Sequence, residues 1–290
     1  MHSAVPLMLI SAALHAGWNL AMRRHGDAPA ASVLLVCLSS VVTLATALLG
    51  GHDAASLRSA FEWGLLAGLS EGLYFIALAR ALRIGPLAPV YAISRGLPLF
   101  ALWPISHVLL GEVITWRAIV AVGLLLSGLV ALLPTQSSSA ATTRRGYLWA
   151  VATAACIVTN GLIYKAAVVR GAPPLPLFAA ALLVAAPIAL VTLVKWGPGG
   201  GAEELAHRLA RAWLSGQLLI VLGAIAYTGS FLLALFTMRS QGAAWVLTLR
   251  NSSIAFAQIL GWSVLHELPS QRAFTGVTLV FAGALVLGTS

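Results

Sequence analysis

The feature of this sequence that most limits its fold is a succession of apolar runs, each about 20 residues long, separated by short polar connectors. A helix of about 20 apolar residues crosses the hydrocarbon core of a bilayer, which is about 30 Å thick. The alternation over about ten residues that transmembrane β-strands require is missing from these runs. The sequence therefore predicts an all-α integral membrane protein. Its ten predicted spans lie near residues 5–22, 30–49, 60–82, 87–110, 116–133, 147–168, 175–194, 213–237, 242–265 and 272–289.

Composition excludes a soluble protein. Of the 290 residues, 60% are hydrophobic and 9% are charged, whereas a soluble domain is about 45–50% apolar and about 25% charged. The formal net charge of +9 comes from Lys and Arg that stand mostly at the ends of apolar runs, where they reach lipid headgroups. We therefore expect a multi-pass protein of a bacterial inner membrane, surrounded by lipid, with no nucleic-acid partner.

Neither cysteine indicates a disulfide or a metal site, because Cys37 and Cys156 both lie inside apolar runs and lack metal-ligand spacing. We expect no metal and no cofactor.

The first apolar run is expected to be a retained span and not a cleaved leader, since Arg23 and Arg24 follow it instead of preceding it.

The two halves of the chain resemble each other. When residues 95–112 are laid over residues 250–267, an arginine meets an arginine and a glutamate meets a glutamate. A weaker match pairs Asn19 with Asn160 in the first span of each half. A polar linker, 134–146, separates a first five-helix repeat, 1–133, from a second, 147–290. An odd number of spans per half predicts two repeats of inverted orientation.

Three motifs resemble those of a known family. His15-Ala16-Gly17-Trp18-Asn19 is similar to an HAxWN signature in the first helix of EamA-type permeases of the drug/metabolite transporter superfamily. The stretch 71–81 resembles the third helix of the same branch. The stretch 91–98 resembles its YPxxRGxxP fourth helix, with Ala92 in place of the usual proline.

This resemblance implies a carrier of ten helices in two repeats, often an exporter of amino acids or related metabolites, proton-linked or facilitative. Members with the HAxWN signature have been grouped with phosphonate-utilisation genes, which points towards small zwitterions or anions. The family implies that both termini face the cytoplasm. The distribution of Lys and Arg implies the opposite, since more of them follow the odd-numbered spans.

Arg95 is a candidate substrate-binding residue, since an ionisable group inside the membrane usually faces a cavity or a partner. Tyr91 and Pro98 lie at helical spacing on nearly the same face. A guanidinium binds a carboxylate, phosphonate or phosphate well. The alternative is a structural ion pair between Arg95 and Glu71, or contact with carbonyls that Pro98 leaves free.

Arg250, the repeat mate of Arg95, is the second candidate. Asn251 follows it within a polar patch that a lipid-facing helix would not tolerate. Two cations on one cavity favour an anionic or zwitterionic substrate.

Glu71 is the candidate proton-coupling residue, because it is the carboxylate that lies deepest within a predicted span. Tyr74 follows it by one helical turn. A carboxylate whose partner changes as the cavity opens to each side is suited to carrying a proton. The alternative is a permanent ion pair that locks the third helix to the fourth.

His15 and Asn19 share a helix face, being one turn apart, and are candidates for hydrogen bonds to substrate. Trp18 and Tyr74 are candidates for stacking on an organic substrate. The alternative for the polar residues is contact between helices, worth about 0.6 kcal/mol in a membrane. Lys165, near the end of a span, is expected to reach the lipid interface.

These residues favour a secondary transporter with alternating access, acting as a monomer or homodimer on a small molecule. An intramembrane enzyme is the first alternative. HExxH and GxSxG motifs are both missing from the sequence, so we expect no enzymatic activity. A passive channel is the second alternative.

Overall fold

The computed structural model describes residues 4–85, 87–133, 144–196, 202–264, 266, 268 and 270–289. Most of the linker predicted over 134–146 lies outside these residues, and so does Glu267. Helices and short connectors, without strands, make up the described part of the chain. The helices are α1 (Ala4–Arg24), α2 (Ala28–Leu49), α3 (Ala54–Ile84), α4 (Leu87–Leu110), α5 (Trp116–Ala131), α6 (Arg144–Val169), α7 (Pro174–Trp196), α8 (Ala202–Met238), α9 (Ala243–Arg250), α10 (Ser253–Val264) and α11 (Gln271–Gly288).

The described helices confirm the prediction of an all-α membrane protein. Eight of them are long and apolar enough to cross a bilayer, and α5 is a shorter apolar helix. Large apolar side chains lie on the outer surface, including Val108 at 78% exposure and Leu214 at 74%. Lipid, not water, is the environment in which such a surface is stable.

The prediction of one continuous span over 242–265 was wrong, because the chain turns at Asn251 and Ser252 between α9 and α10. The Ser252 hydroxyl donates to the Leu249 carbonyl at 2.7 Å. Hydrogen bonds from residue i to i−3 replace the α-helical pattern there, as in Ser252 N–H to Leu249 O at 3.0 Å. The break places the end of α9 inside the bundle.

Helix α3 packs closely on α7 through glycines. A Cβ on Gly68 would lie 2.3 Å from the Ala181 carbonyl oxygen, and one on Gly64 would lie 2.7 Å from the Leu177 carbonyl oxygen. Small residues of this kind allow helix backbones to approach in a membrane. The close approach fixes the position of α3, which carries Glu71.

We expect Gly68→Ala to destabilise the folded protein by about 1–3 kcal/mol, because the added methyl group overlaps backbone that cannot move alone. Gly123→Ala is the matched control, since a Cβ there meets nothing within 4 Å. Thermal unfolding of both variants in detergent measures the difference. Equal midpoints would show that α3 and α7 are less closely packed than described.

Helix α8 begins before the span predicted from residue 213, and its first segment is held by the α1–α2 connector. The Arg208 guanidinium hydrogen-bonds the Asp27 carboxylate, with Nη2 to Oδ1 at 2.8 Å, and holds the pKa of Asp27 below its usual range. The His25 Nε2 lies 2.8 Å from the Ala212 carbonyl oxygen. Helical backbone is interrupted at Gly216, where a Cβ would lie 2.5 Å from the His25 ring.

Helices from the first half of the chain pack on helices from the second half. Helix α1 packs on α8, and α3 packs on α6. Helix α4 packs on α6, while α9 and α10 pack on α1. Helix α2 packs on α7, and α5 packs on α11. These contacts surround one cavity in the interior of the bundle.

Candidate substrate-binding cavity

A cavity of about 140 Å³ lies between helices of both halves. Polar and charged side chains converge on it from helices that are otherwise apolar. The residues around it include seven of the nine predicted site residues: His15, Trp18, Glu71, Tyr74, Arg95, Arg250 and Asn251.

Two predicted residues lie elsewhere. Asn19 is absent from the lining, and its side-chain amide donates to the His15 carbonyl oxygen at 2.7 Å within α1. Tyr91 is also absent and is 36% exposed at the outer surface. The Arg95 guanidinium carbon lies 6.0 Å from the Tyr91 ring centroid, so this tyrosine contacts a lining residue without lining the cavity itself.

Glu71 is held by tyrosines and not by an arginine. The Tyr227 hydroxyl donates to Glu71 Oε1 at 2.8 Å, and the Tyr164 hydroxyl donates to Oε2 at 3.3 Å. The three side chains are buried, with 4%, 3% and 3% of their surface exposed. The Asn160 side chain also lies close to Glu71. Helices α3, α6 and α8 therefore meet at this carboxylate.

The predicted alternative of an ion pair between Glu71 and Arg95 was wrong. Among the described residues, ion pairs join Arg58 to Glu62 and Arg208 to Asp27, and none includes Glu71 or Arg95. The side chain of Arg95 instead lies beside Tyr74 and Tyr91.

Arg250 ends α9, and the break after it directs the side chain into the bundle. Its guanidinium carbon lies 3.9 Å from the Phe231 ring centroid. Its Nη2 lies 3.2 Å from His15 Nδ1 and donates to the Ser230 hydroxyl at 3.5 Å. Its Nε is buried and has no hydrogen-bond partner in the part of the chain that the structure describes.

His15 accepts from two donors at one ring nitrogen. Trp18 Nε1 donates to His15 Nδ1 at 3.3 Å, and Arg250 Nη2 approaches the same atom. Helix α1 is fixed against α8 one turn away, where Ser11 and Ser230 each donate to the other's carbonyl oxygen at 2.7 and 2.9 Å. The position of His15 relative to Arg250 is therefore set by helix packing.

The walls between the polar groups are apolar and aromatic. Trp18 meets Tyr227 edge-to-face, with ring centroids 5.5 Å apart, and Tyr227 meets Phe231 at 4.9 Å. Phe75, Leu235, Met238 and Leu247 complete this surface. Such a cavity suits a small organic molecule that carries both charge and carbon surface.

Charged residues close one end of the bundle near the cavity. The Lys165 ammonium donates to the Met238 and Gln241 carbonyl oxygens at 2.7 and 2.8 Å. The Glu112 carboxylate accepts from the Ala243 and Ala244 N–H groups at 2.5 and 3.2 Å, at the start of α9. The predicted position of Lys165 at the lipid interface stays a prediction, and its ammonium binds carbonyls at the end of α8.

Sequence reasoning missed several of these roles. It matched Asn160 with Asn19 but did not connect Asn160 or Tyr164 to Glu71, and it did not single out Phe231. Aromatic residues spaced along α8, Tyr227 and Phe231, were the available signal. Among the described residues, no group of three or more His, Cys, Asp or Glu could hold a metal ion.

Comparisons with known proteins give one family and one fold. The model of the EamA-like transporter family matches residues 144–289. A crystal structure described only as that of a protein matches with a TM-score of 0.73 and 20% identity, over 98% of this chain and 96% of that one. No curated protein matches the chain.

The chain belongs to the EamA-like transporter family. This confirms the predicted resemblance, and it does so on the second half of the chain, whereas the three motifs lie in the first half.

Proposed function

We propose that this protein is a secondary transporter of small organic metabolites that carry an anionic group, such as amino acids and other zwitterions, and that it acts as an exporter. The observation that carries the proposal is the pair Arg95 and Arg250, which line one internal cavity and form no ion pair among the described residues. A charge at the centre of a membrane helix costs about 2.5–3.5 kcal/mol. A carboxylate or phosphonate between the two guanidinium groups would offset that cost.

The remaining cavity groups favour a zwitterion over a simple anion. The Asn160 Oδ1 is buried and lacks a hydrogen-bond partner within the described residues, and Glu71 lies beside it. Both are acceptors, which an ammonium group would satisfy. Apolar and aromatic walls would then contact the carbon skeleton of the substrate.

We further propose that residues 1–133 and 147–290 form two inverted repeats that exchange roles during alternating access. The helix contacts support this, because helices that correspond in the two proposed repeats have corresponding partners, such as α1 on α8 and α6 on α3. In such carriers the substrate lies at the interface of the repeats. A cavity lined from both halves agrees with this arrangement.

Glu71 is proposed as the proton carrier. Its hydrogen-bond partners are the hydroxyls of Tyr164 and Tyr227, both of which donate. Protonation of Glu71 would turn one carboxyl oxygen into a donor, with a tyrosine hydroxyl or the unpartnered Asn160 Oδ1 as its acceptor. That change would alter contacts among α3, α6 and α8, the helices that must rearrange during transport.

The proposed setting is a bacterial inner membrane, with the protein as a monomer or homodimer that exports its substrate. The composition and the family resemblance support this setting.

A thermal-shift screen of amino acids and aminophosphonates on purified protein tests the substrate class. We expect at least one of these compounds to raise the unfolding midpoint. The same compound should slow alkylation of Cys156, which lines the cavity, by a small maleimide in a Cys37→Ser background. A stabilising compound that leaves the alkylation rate unchanged binds elsewhere and would count against the cavity as the substrate site.

A further inference from the structure

We propose that His15, when no substrate is bound, accepts the hydrogen bond from Arg250 that a substrate anion would otherwise accept. As a consequence, anion binding at Arg250 and proton binding at His15 promote each other. This inference rests on the proposed function, because it takes the cavity to be an anion-binding site. It adds a residue that links substrate occupancy to protons, separate from Glu71.

The hydrogen bonds of His15 determine where its proton can lie. Trp18 Nε1 and Arg250 Nη2 can only donate, and both point at His15 Nδ1, at 3.3 and 3.2 Å. His15 Nδ1 must therefore accept, and any ring proton sits on Nε2. A proton on Nδ1 would place three donors together, so this contact with Arg250 excludes protonated His15.

Arg250 has few partners that compete with an incoming anion. Its Nη2 contacts His15 and Ser230, its planar face lies on Phe231, and its buried Nε has no partner among the described residues. A carboxylate or sulfonate would bind the guanidinium more strongly than a neutral imidazole does, because the anion adds attraction between opposite charges and can accept two parallel hydrogen bonds. The anion would displace His15 Nδ1, which would then be free to take a proton.

The charges around His15 determine that anion binding raises, and does not lower, the affinity of His15 for a proton. The charged groups that face His15 are Arg250 on α9 and Arg95 on α4. Helix α8 presents Tyr227 to the neighbouring Trp18, Cys37 is the titratable side chain of α2, and α10 has none. Two guanidinium groups oppose a third positive charge, and an anion bound between them removes that opposition. By reciprocity, protonated His15 also favours the bound anion.

Glu71 interacts with Arg250 through charge, so the Glu71→Gln variant is needed to separate its proton uptake from that of His15. The oxygens of Glu71 are occupied by Tyr164 and Tyr227, and it forms no ion pair with Arg250 in the described part of the protein. An anion at Arg250 leaves the tyrosine contacts in place. The roles of Glu71 and His15 are therefore tested by different measurements.

Isothermal titration with methanesulfonate tests the inference, because this anion keeps its charge throughout the pH range in which histidine titrates. Titration at about pH 6.5, in two buffers of different ionisation enthalpy, gives the number of protons taken up per anion bound. We expect net uptake of up to about one proton by the unmodified protein. We expect the Glu71→Gln variant to take up protons on anion binding as well. We expect the His15→Gln variant to take up no proton per anion bound, because the glutamine side chain can accept a hydrogen bond from Arg250 but does not titrate.

His15→Asn serves as a second non-titrating variant should the first not fold. Binding without proton uptake, uptake that survives both His15 variants, or uptake lost in Glu71→Gln would each refute the inference while leaving the anion site intact. Absence of methanesulfonate binding by the unmodified protein, or undiminished binding by Arg250→Ala, would instead overturn the proposed anion site and this inference with it.

Discussion

Arg250→Ala is expected to abolish measurable transport while leaving the protein folded in the membrane, and Arg95→Ala is expected to do the same. Each change removes one of the two guanidinium groups that line the cavity, and with it half of the cationic contacts proposed for the substrate anion. Truncating one partner of a buried charge-assisted contact costs about 2–5 kcal/mol, which lowers affinity roughly 30- to 5,000-fold. Uptake of a labelled substrate by proteoliposomes measures the effect.

The matched control for loss of charge is Arg58→Ala. This arginine is 82% exposed, away from the cavity, and pairs with Glu62 on its own helix. The Arg250→Lys variant tests geometry apart from charge. It keeps the positive charge, but an ammonium cannot reproduce the planar fork of donors of a guanidinium. Kinetics like those of the unmodified protein in Arg95→Ala or Arg250→Ala would remove that arginine from the site.

Glu71→Gln is expected to uncouple transport from a pH gradient. A gradient of one pH unit stores about 1.4 kcal/mol, enough for tenfold accumulation when one proton is coupled. With glutamine, which accepts from a tyrosine hydroxyl but cannot carry a proton, gradient-driven accumulation should fall to the level seen without a gradient. Exchange of labelled for unlabelled substrate should continue, because exchange needs no net proton movement.

Glu62→Gln is the control on the same helix, since Glu62 lies at the exposed end of α3. Proteoliposomes with an imposed pH gradient give the accumulation ratio for each variant. Accumulation by Glu71→Gln equal to that of the unmodified protein would exclude Glu71 as the carrier. Loss of exchange together with accumulation, in a folded variant, would assign Glu71 a structural role through Tyr164 and Tyr227.

The spans were predictable because hydrophobic length alone determines a membrane helix. The cavity was partly predictable, because buried charge inside a membrane must face a polar space or a partner. Three ionisable residues within the spans follow this rule and line the same cavity, namely Arg95, Arg250 and Glu71. The break after Arg250 was less visible, since Asn251 and Ser252 read equally well as polar residues on a continuous helix.

The contacts between side chains were not predictable, since they depend on how helices are rotated against each other. Helical spacing placed Asn19 on the face of His15, but its amide folds back onto a backbone carbonyl of its own helix. Tyr91 shares the face of Arg95 yet remains at the outer surface. Lys165 binds carbonyls at the end of α8, a partner that no pattern along the chain reveals.

Counterflow tests the central claim, that the cavity carries its substrate by alternating access. Proteoliposomes are loaded with a compound that raises the unfolding midpoint and then diluted into a trace of the same compound in labelled form. A carrier predicts transient accumulation of label above equilibrium, saturable by external compound and lost in Arg250→Ala. Label that only equilibrates, at a rate that does not saturate, would contradict the account and indicate a channel.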